Sequence, residues 1–318
     1  MDLSNVGLGA LTDLSQIPVT GIATVEPDST KIREGLAMLE QQRLVGECRQ
    51  QEASVVVGKW RWIAQGTRNR IGTAAMQPWE QRSRGFDHND EWTEAMESSL
   101  EFLKVVFDSA FIPKIHISVF NERSLDEPCI VLYSDAEYHF DLSTGQHHLT
   151  VCWHAFDQAD LSVHHASWLE IPQDYMQLFC PRNTYIGQGE EAAGIAAFYS
   201  CPALFRNRRV IHFVDNTGSL SHLVNGYASA PDSARLVNMF HAALLALNVE
   251  WWGEWVPSKA NIADMLTRLD RHAEFHLGMQ GRCLGRDCRV RMHEFVLPPI
   301  DDSWSDLRYW IAKLQSRA

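Results

Sequence analysis

The chain has 318 residues, 45% hydrophobic and 21% charged, which is enough apolar material for two ordinary domains with real cores. No apolar run approaches the ~20 residues a membrane span needs, and the opening MDLSNVGLGALTDL carries acids and no basic stretch, so neither a span nor a secretory signal is expected. The net charge of -12 argues mildly against nucleic-acid binding, and seven scattered cysteines suit reduced thiols of the cytosol or nucleus better than a disulfide framework.

Residues 1–30, with Pro18 and Pro27, read as irregular or short-stranded. Thr30 is positioned to cap a helix over 31–45, where Ile32, Leu36 and Leu39 form an apolar stripe. Further helices are expected over 51–65 and 71–82, then a polar loop over 83–90. Trp92, Met96, Leu100, Leu103 and Phe107 recur at helical spacing and predict an amphipathic helix over 91–109. Within this region no acid lies between Glu52 and Glu80, whereas Lys59, Arg61, Arg68 and Arg70 alternate with Trp60 and Trp62. A solvated helix face explains that basic island as well as phosphate contact does.

The texture changes near residue 115. Strands are expected over 115–120, 129–134, 149–155 and 161–169, a helix over 189–199, and a strand over 209–214. Helices follow over 217–225 and 232–247, then a strand over 249–256 stopped by Pro257, and a helix from Asn261. From residue 129 this order predicts a mixed α/β sheet of five strands, a three-strand meander followed by parallel strands with flanking helices, preceded by a mostly helical region. Residues 273–318 read as an appended tail.

Four acids occupy telling positions. Asp135 and Asp215 end the apolar strands CIVLYSD and RVIHFVD, Glu190 begins the helix GEEAAGIAAFY, and Asp264 sits in the first turn of NIADMLTR. Ligand sites in open α/β sheets gather at the carboxyl ends of strands. Four converging carboxylates repel one another unless cations bind, and hard oxygen donors select Mg²⁺ or Mn²⁺. Two such ions about 4 Å apart support phosphodiester cleavage.

The motifs YSDA (133–136), YIGQGEEAAGIAA (185–197), VIHFVDNTGSLSHLVNG (210–226) and EWVPSKANIADMLTR (254–268) resemble the ribonuclease H domain of retroelement reverse transcriptases, the last motif those of DIRS type and related viral enzymes. The resemblance implies a ribonuclease-H-like fold over 129–272 that hydrolyses the RNA strand of RNA–DNA hybrids with two Mg²⁺ or Mn²⁺ ions. It further implies that Asp135 bridges both metals, that Asp264 holds the ion that activates water, and that Glu190 and Asp215 hold the other, Glu190 also lying near the ribose 2′-hydroxyl. Residues 55–82 resemble the thumb and connection helices that precede this domain, implying a thumb- or connection-like region over 31–128 and a palm-end remnant over 1–30. Lys59, Arg61, Arg68, Arg70, Asn216 and Lys259 would then meet nucleic acid, and a polymerase domain from a longer polyprotein is an expected partner. No Y-x-D-D motif is present, so DNA synthesis is not expected, and PSKANIA is too short for the His-containing loop of cellular ribonucleases H.

Of the neighbouring acids, Glu190 is preferred over Glu191 because Ala193 and Ala197 fall on its face. His147, His148, His164 and His165 lie on or beside meander strands, whose alternate residues face opposite ways, so packing is their expected role. His276, Cys283, Cys288 and His293 are the right number of zinc ligands, but their spacing matches no common finger. Trp251, Trp252 and Trp255 are expected in the core and on the sheet face. The rival reading is a catalytically silent, nucleic-acid-binding remnant of a retroelement. A DNA nuclease or integrase of the same fold class usually ends its acid set on a Glu, whereas here the last acid is Asp264.

Overall fold

The computed structural model describes residues 4–7, 10–67, 70–108, 115–118, 128–268 and 289–318. The chain divides into two compact units: Met1–Glu127 with Asn225–Asn238 and Asp302–Arg308, and Pro128–Val224 with Met239–Asp301 and Tyr309–Ala318. Among the described residues, no helix is long and apolar enough to cross a membrane.

The first unit is not simply helical. Strands β1 (Ser4–Gly7), β2 (Ala10–Asp13), β3 (Ile22–Pro27) and β4 (Ile115–Ser118) form an antiparallel sheet in that order. Short strands were one of the two expectations for residues 1–30 and a strand was expected over 115–120; what the sequence did not indicate is that they pair into one sheet beside the expected helices. The IATV run of β3 is β-branched enough for a strand, but its partner β4 lies some ninety residues away, a pairing that local pattern does not reveal.

Helix α1 (Ser29–Val45) begins before Lys31 because Asp28, not Thr30, caps it: Asp28 Oδ1 accepts from the Thr30 N–H at 2.8 Å. Helix α2 (Gln50–Gln65) packs closely on α1, where a methyl added at Gly35 would stand 3.1 Å from Ile63 Cδ1. The helix expected over 71–82 starts only at Gln77, as α3 (Gln77–Ser83), after a 3-10 turn over Ala74–Met76. Pro78 is the reason: it has no N–H to give and its ring excludes a helical turn before it, so it belongs at a helix start. Helix α4 (Glu94–Val106) is set by Thr93, whose hydroxyl accepts from the Met96 N–H, and it buries Met96, Leu100 and Leu103.

The second unit is built on a mixed sheet of six strands: β5 (Ile130–Asp141), β6 (Gln146–Asp157), β7 (Asp160–Glu170), β8 (Arg209–Val214), β9 (Glu250–Trp255) and β10 (Arg289–Met292). Their spatial order is β10-β7-β6-β5-β8-β9. β5, β6 and β7 form the antiparallel meander, β8 runs parallel to β5, and β9 parallel to β8. Five strands were expected; the sixth, β10, comes from the region read as a tail and pairs parallel with β7. Four residues with arginines at alternate positions give little strand signal. What holds β10 is tertiary: Val290 packs on the cluster of Cys152, Ala166, Ala263 and Leu266.

Helix α5 (Ile186–Ser200) lies against β5 and β6 through small residues. A methyl at Gly189 would stand 2.6 Å from Leu149 Cδ1, and one at Gly194 would overlap the ring of His212. That ring is fully buried, its Nε2 is 2.8 Å from Ser134 Oγ, and burial pushes its pKa down to about 3. Gly194→Ala therefore has to displace a hydrogen-bonded core histidine, and we expect it to lower unfolding free energy by about 1–3 kcal/mol in denaturant titrations. Helices α6 (Thr217–Asn225) and α7 (Pro231–Leu247) follow β8. Phe240 of α7 meets Trp251 of β9 edge-on, with ring centres 5.0 Å apart. Trp251 is thus a packing residue, whereas Trp252 and Trp255 are exposed.

Candidate carboxylate site

The parallel ladder between β5 and β8 pairs Ile130 with Val210 through Tyr133 with Phe213, and stops there. Asp135 and Asp215 each lie two residues beyond the last pair. The shared register therefore delivers both carboxyls to the same end of the ladder. β5 itself continues to Asp141, so Asp135 does not end its strand; it marks where β8 leaves. β5 and β6 extend past their expected ends because their hairpin continues as a ladder, with Tyr138 Oη 2.7 Å from His147 Nδ1 and a turn at Gly145, φ 69°.

Glu190 arrives from α5. The helix starts at Ile186, so Glu190 stands in its second turn and not at its beginning. Its depth follows from the close approach at Gly189 and the burial of Ala193 and Ala197. Glu190 is 5% exposed, Asp135 likewise, and Asp215 is half-buried. One oxygen from each of Asp135, Glu190 and Asp215 can be chosen so that all lie within 4.8 Å of one another. Glu191, next in sequence, points elsewhere and lies 2.5 Å from His222 Nδ1, an interaction that raises the His222 pKa.

Asp264 is outside that set of three but near it. It opens a single helical turn, α8 (Asp264–Thr267), held by side chains on either side of it. The buried Asn261 side chain donates to Ser134 O at 2.9 Å and accepts from the Ala263 N–H at 3.1 Å. Thr267 donates from its hydroxyl to Asp135 Oδ2 at 3.1 Å, and Arg268 pairs with Asp264 Oδ1 at 2.9 Å. An amide three residues before the acid and a hydroxyl three residues after it were the available signals. Asn261→Ala leaves a buried carbonyl and a buried N–H unpaired; we expect a loss of about 1–3 kcal/mol in thermal or chemical unfolding.

Burial and mutual repulsion dominate the electrostatics of the three converging acids. Burial, then the Asp215 and Asp264 charges, push the Asp135 pKa up to about 8, against the pull of the Thr267 hydroxyl. Burial and the Asp135 and Asp215 charges raise Glu190 well above the carboxylate range. Glu190 Oε2 and Asp215 Oδ1 are buried with no hydrogen-bond donor among the described residues. An unpaired buried carboxylate oxygen is costly, and the Asp135, Glu190 and Asp215 carboxylates together form an all-oxygen donor set that suits a hard divalent cation. The residues present fit such an ion.

The nucleic-acid candidates are spread over both units. Lys59 Nζ is 3.1 Å from Glu34, and Arg61 pairs with the buried Glu80. Arg70 is exposed with φ 54°, and Arg68 lies outside the described residues. Asn216 accepts from the Gly218 and Ser219 N–H groups at 3.0 and 3.1 Å, the geometry of an N-cap for α6. Lys259 is exposed on the turn Ser258–Ala260. Of the tail ligands weighed for zinc, His276, Cys283 and Cys288 lie outside the described residues. No protein-family model matches the chain, and no curated protein matches it.

Proposed function

We propose that the second unit is a ribonuclease-H-like nuclease that hydrolyses the RNA strand of RNA–DNA hybrids, with Asp135, Glu190, Asp215 and Asp264 as its metal-binding acids. The observation that carries this reading is the convergence of Asp135, Glu190 and Asp215 within 4.8 Å at the end of the β5–β8 ladder. The topology supports it: a three-strand meander followed by two parallel strands puts the two aspartates on adjacent strands. Mg²⁺ or Mn²⁺ held there supplies a water of lowered pKa and charge for the leaving oxygen.

The chain's own residues set up that chemistry. Asp135 lies centrally, its Oδ2 oriented by Thr267. Glu190 and Asp215 each offer an oxygen that has no hydrogen-bond donor among the described residues. Asn261 fixes the start of the turn that carries Asp264, and Arg268 holds the Asp264 side chain. The test is cleavage of an RNA-labelled hybrid in Mn²⁺, with hybrid and duplex DNA competed against each other. The reading expects RNA-strand fragments from wild type and none from Asp215→Asn. Hybrid bound without turnover would mark a silent remnant, and preferential cleavage of duplex DNA would assign a different substrate.

A further inference from the structure

On the opposite flank of the sheet, three soft donors from three elements converge. His165 is on β7, His293 follows directly after β10, and Cys201 ends α5. A ring nitrogen of each histidine and the Cys201 sulfur lie within 4.8 Å of one another. We propose that His165, Cys201 and His293 form a second metal site, for zinc, which fastens strand β10 to the sheet and the end of α5.

The distances suit that ion. Two imidazole nitrogens about 2.05 Å from a tetrahedral zinc stand about 3.3 Å apart, with ring centres about 5.2 Å apart. Here His165 Nδ1 and His293 Nε2 are 2.8 Å apart and the ring centres 5.1 Å apart. The rings must open by about half an ångström, less than a side-chain rotation supplies. The backbone that carries His293 is already fixed. Its N–H donates to Ala166 O at 2.9 Å, its carbonyl accepts from Ser167 Oγ at 2.7 Å, and its ring stacks on Trp153.

Donor chemistry separates this site from the carboxylate cluster. Two imidazoles and a thiolate select zinc or cobalt over Mg²⁺, and the proposal holds whether or not the acids cut RNA. Arg291, opposite His165 in the β10–β7 ladder, sets a positive charge nearby. The Cys201 thiolate offsets it, which is why a third, anionic ligand matters. All three residues are partly exposed, so water can complete the tetrahedron. On binding, the Cys201 S–H gives its proton to solvent and the sulfur lone pair forms the bond to the ion.

The experiment uses the full chain, stripped with chelator and titrated with Co²⁺ alone. Wild type and a Cys283→Ser/Cys288→Ser variant are expected to show thiolate-to-cobalt charge transfer and the visible bands of a tetrahedral ion. Cys201→Ser is expected to lose the charge transfer. A wild type without that absorption, or a Cys201→Ser protein that keeps it, overturns the proposal. A second measurement needs no variant: alkylation of Cys201, followed by peptide mass spectrometry, should slow by about tenfold with free Zn²⁺ at ten times its Kd. An unchanged rate at saturating Zn²⁺ likewise overturns it.

Discussion

Asp135→Asn is expected to lower hybrid cleavage by at least about a thousandfold, ~4 kcal/mol of transition-state stabilisation, while making the metal-free protein more stable near neutral pH. The second effect follows from proton linkage. An aspartate ordinarily titrates near 3.8, and in the folded unit Asp135 keeps its proton to about 8. Between those values the native state binds a proton that the unfolded chain has released. Stability is therefore full at low pH and falls as pH rises toward 8, by about 1.4 kcal/mol per pH unit for one such group. Glu190, shifted in the same direction, adds to the slope. A divalent cation favours the ionised carboxylates and should flatten the dependence. Chemical unfolding in chelator across this range should give a steep decline for wild type and a shallower one for Asp135→Asn. Equal slopes would show that Asp135 is not the strained acid.

Arg82→Ala is expected to cost about 3–5 kcal/mol, enough to unfold much of the first unit. Arg82 is 1% exposed, and its guanidinium pairs with Asp87 at 2.6 Å and donates to Cys48 O and Glu91 O at 3.0 and 2.8 Å. Truncation takes the donor from the buried Cys48 carbonyl and the partly buried Glu91 carbonyl, and opens a cavity beside Met96. Arg82→Lys restores the charge but not the fork geometry, and should recover only part of the loss. Circular dichroism during denaturant titration of the three proteins reads both effects; wild-type stability in Arg82→Ala would refute them.

What could be read from the sequence was what strands and helices advertise locally. Asp135 and Asp215 follow alternating or continuous apolar runs, and a shared register then carries them to one place. Glu190 was preferred over Glu191 because Ala193 and Ala197 share its face, although α5 is buried all round and Glu191 is buried as well. The sixth strand of the main sheet was not readable, since β10 is held by Val290 packing, and neither was the pairing of β3 with a distant β4 in the four-stranded sheet. The contacts of Asn261 and Thr267 could not be read, because their partners, Ser134 O and Asp135, are more than a hundred residues away. His165, Cys201 and His293 have no common spacing at all; only the fold assembles them.

The central claim is that Asp135, Glu190 and Asp215 hold a divalent cation. Manganese titration followed by electron paramagnetic resonance tests it most directly, because the free-ion signal disappears as Mn²⁺ binds. Wild type should deplete the signal until its sites fill, and Asp135→Asn should leave the signal at its protein-free amplitude. The same free signal with wild type, with Asp135→Asn and with no protein would contradict the account.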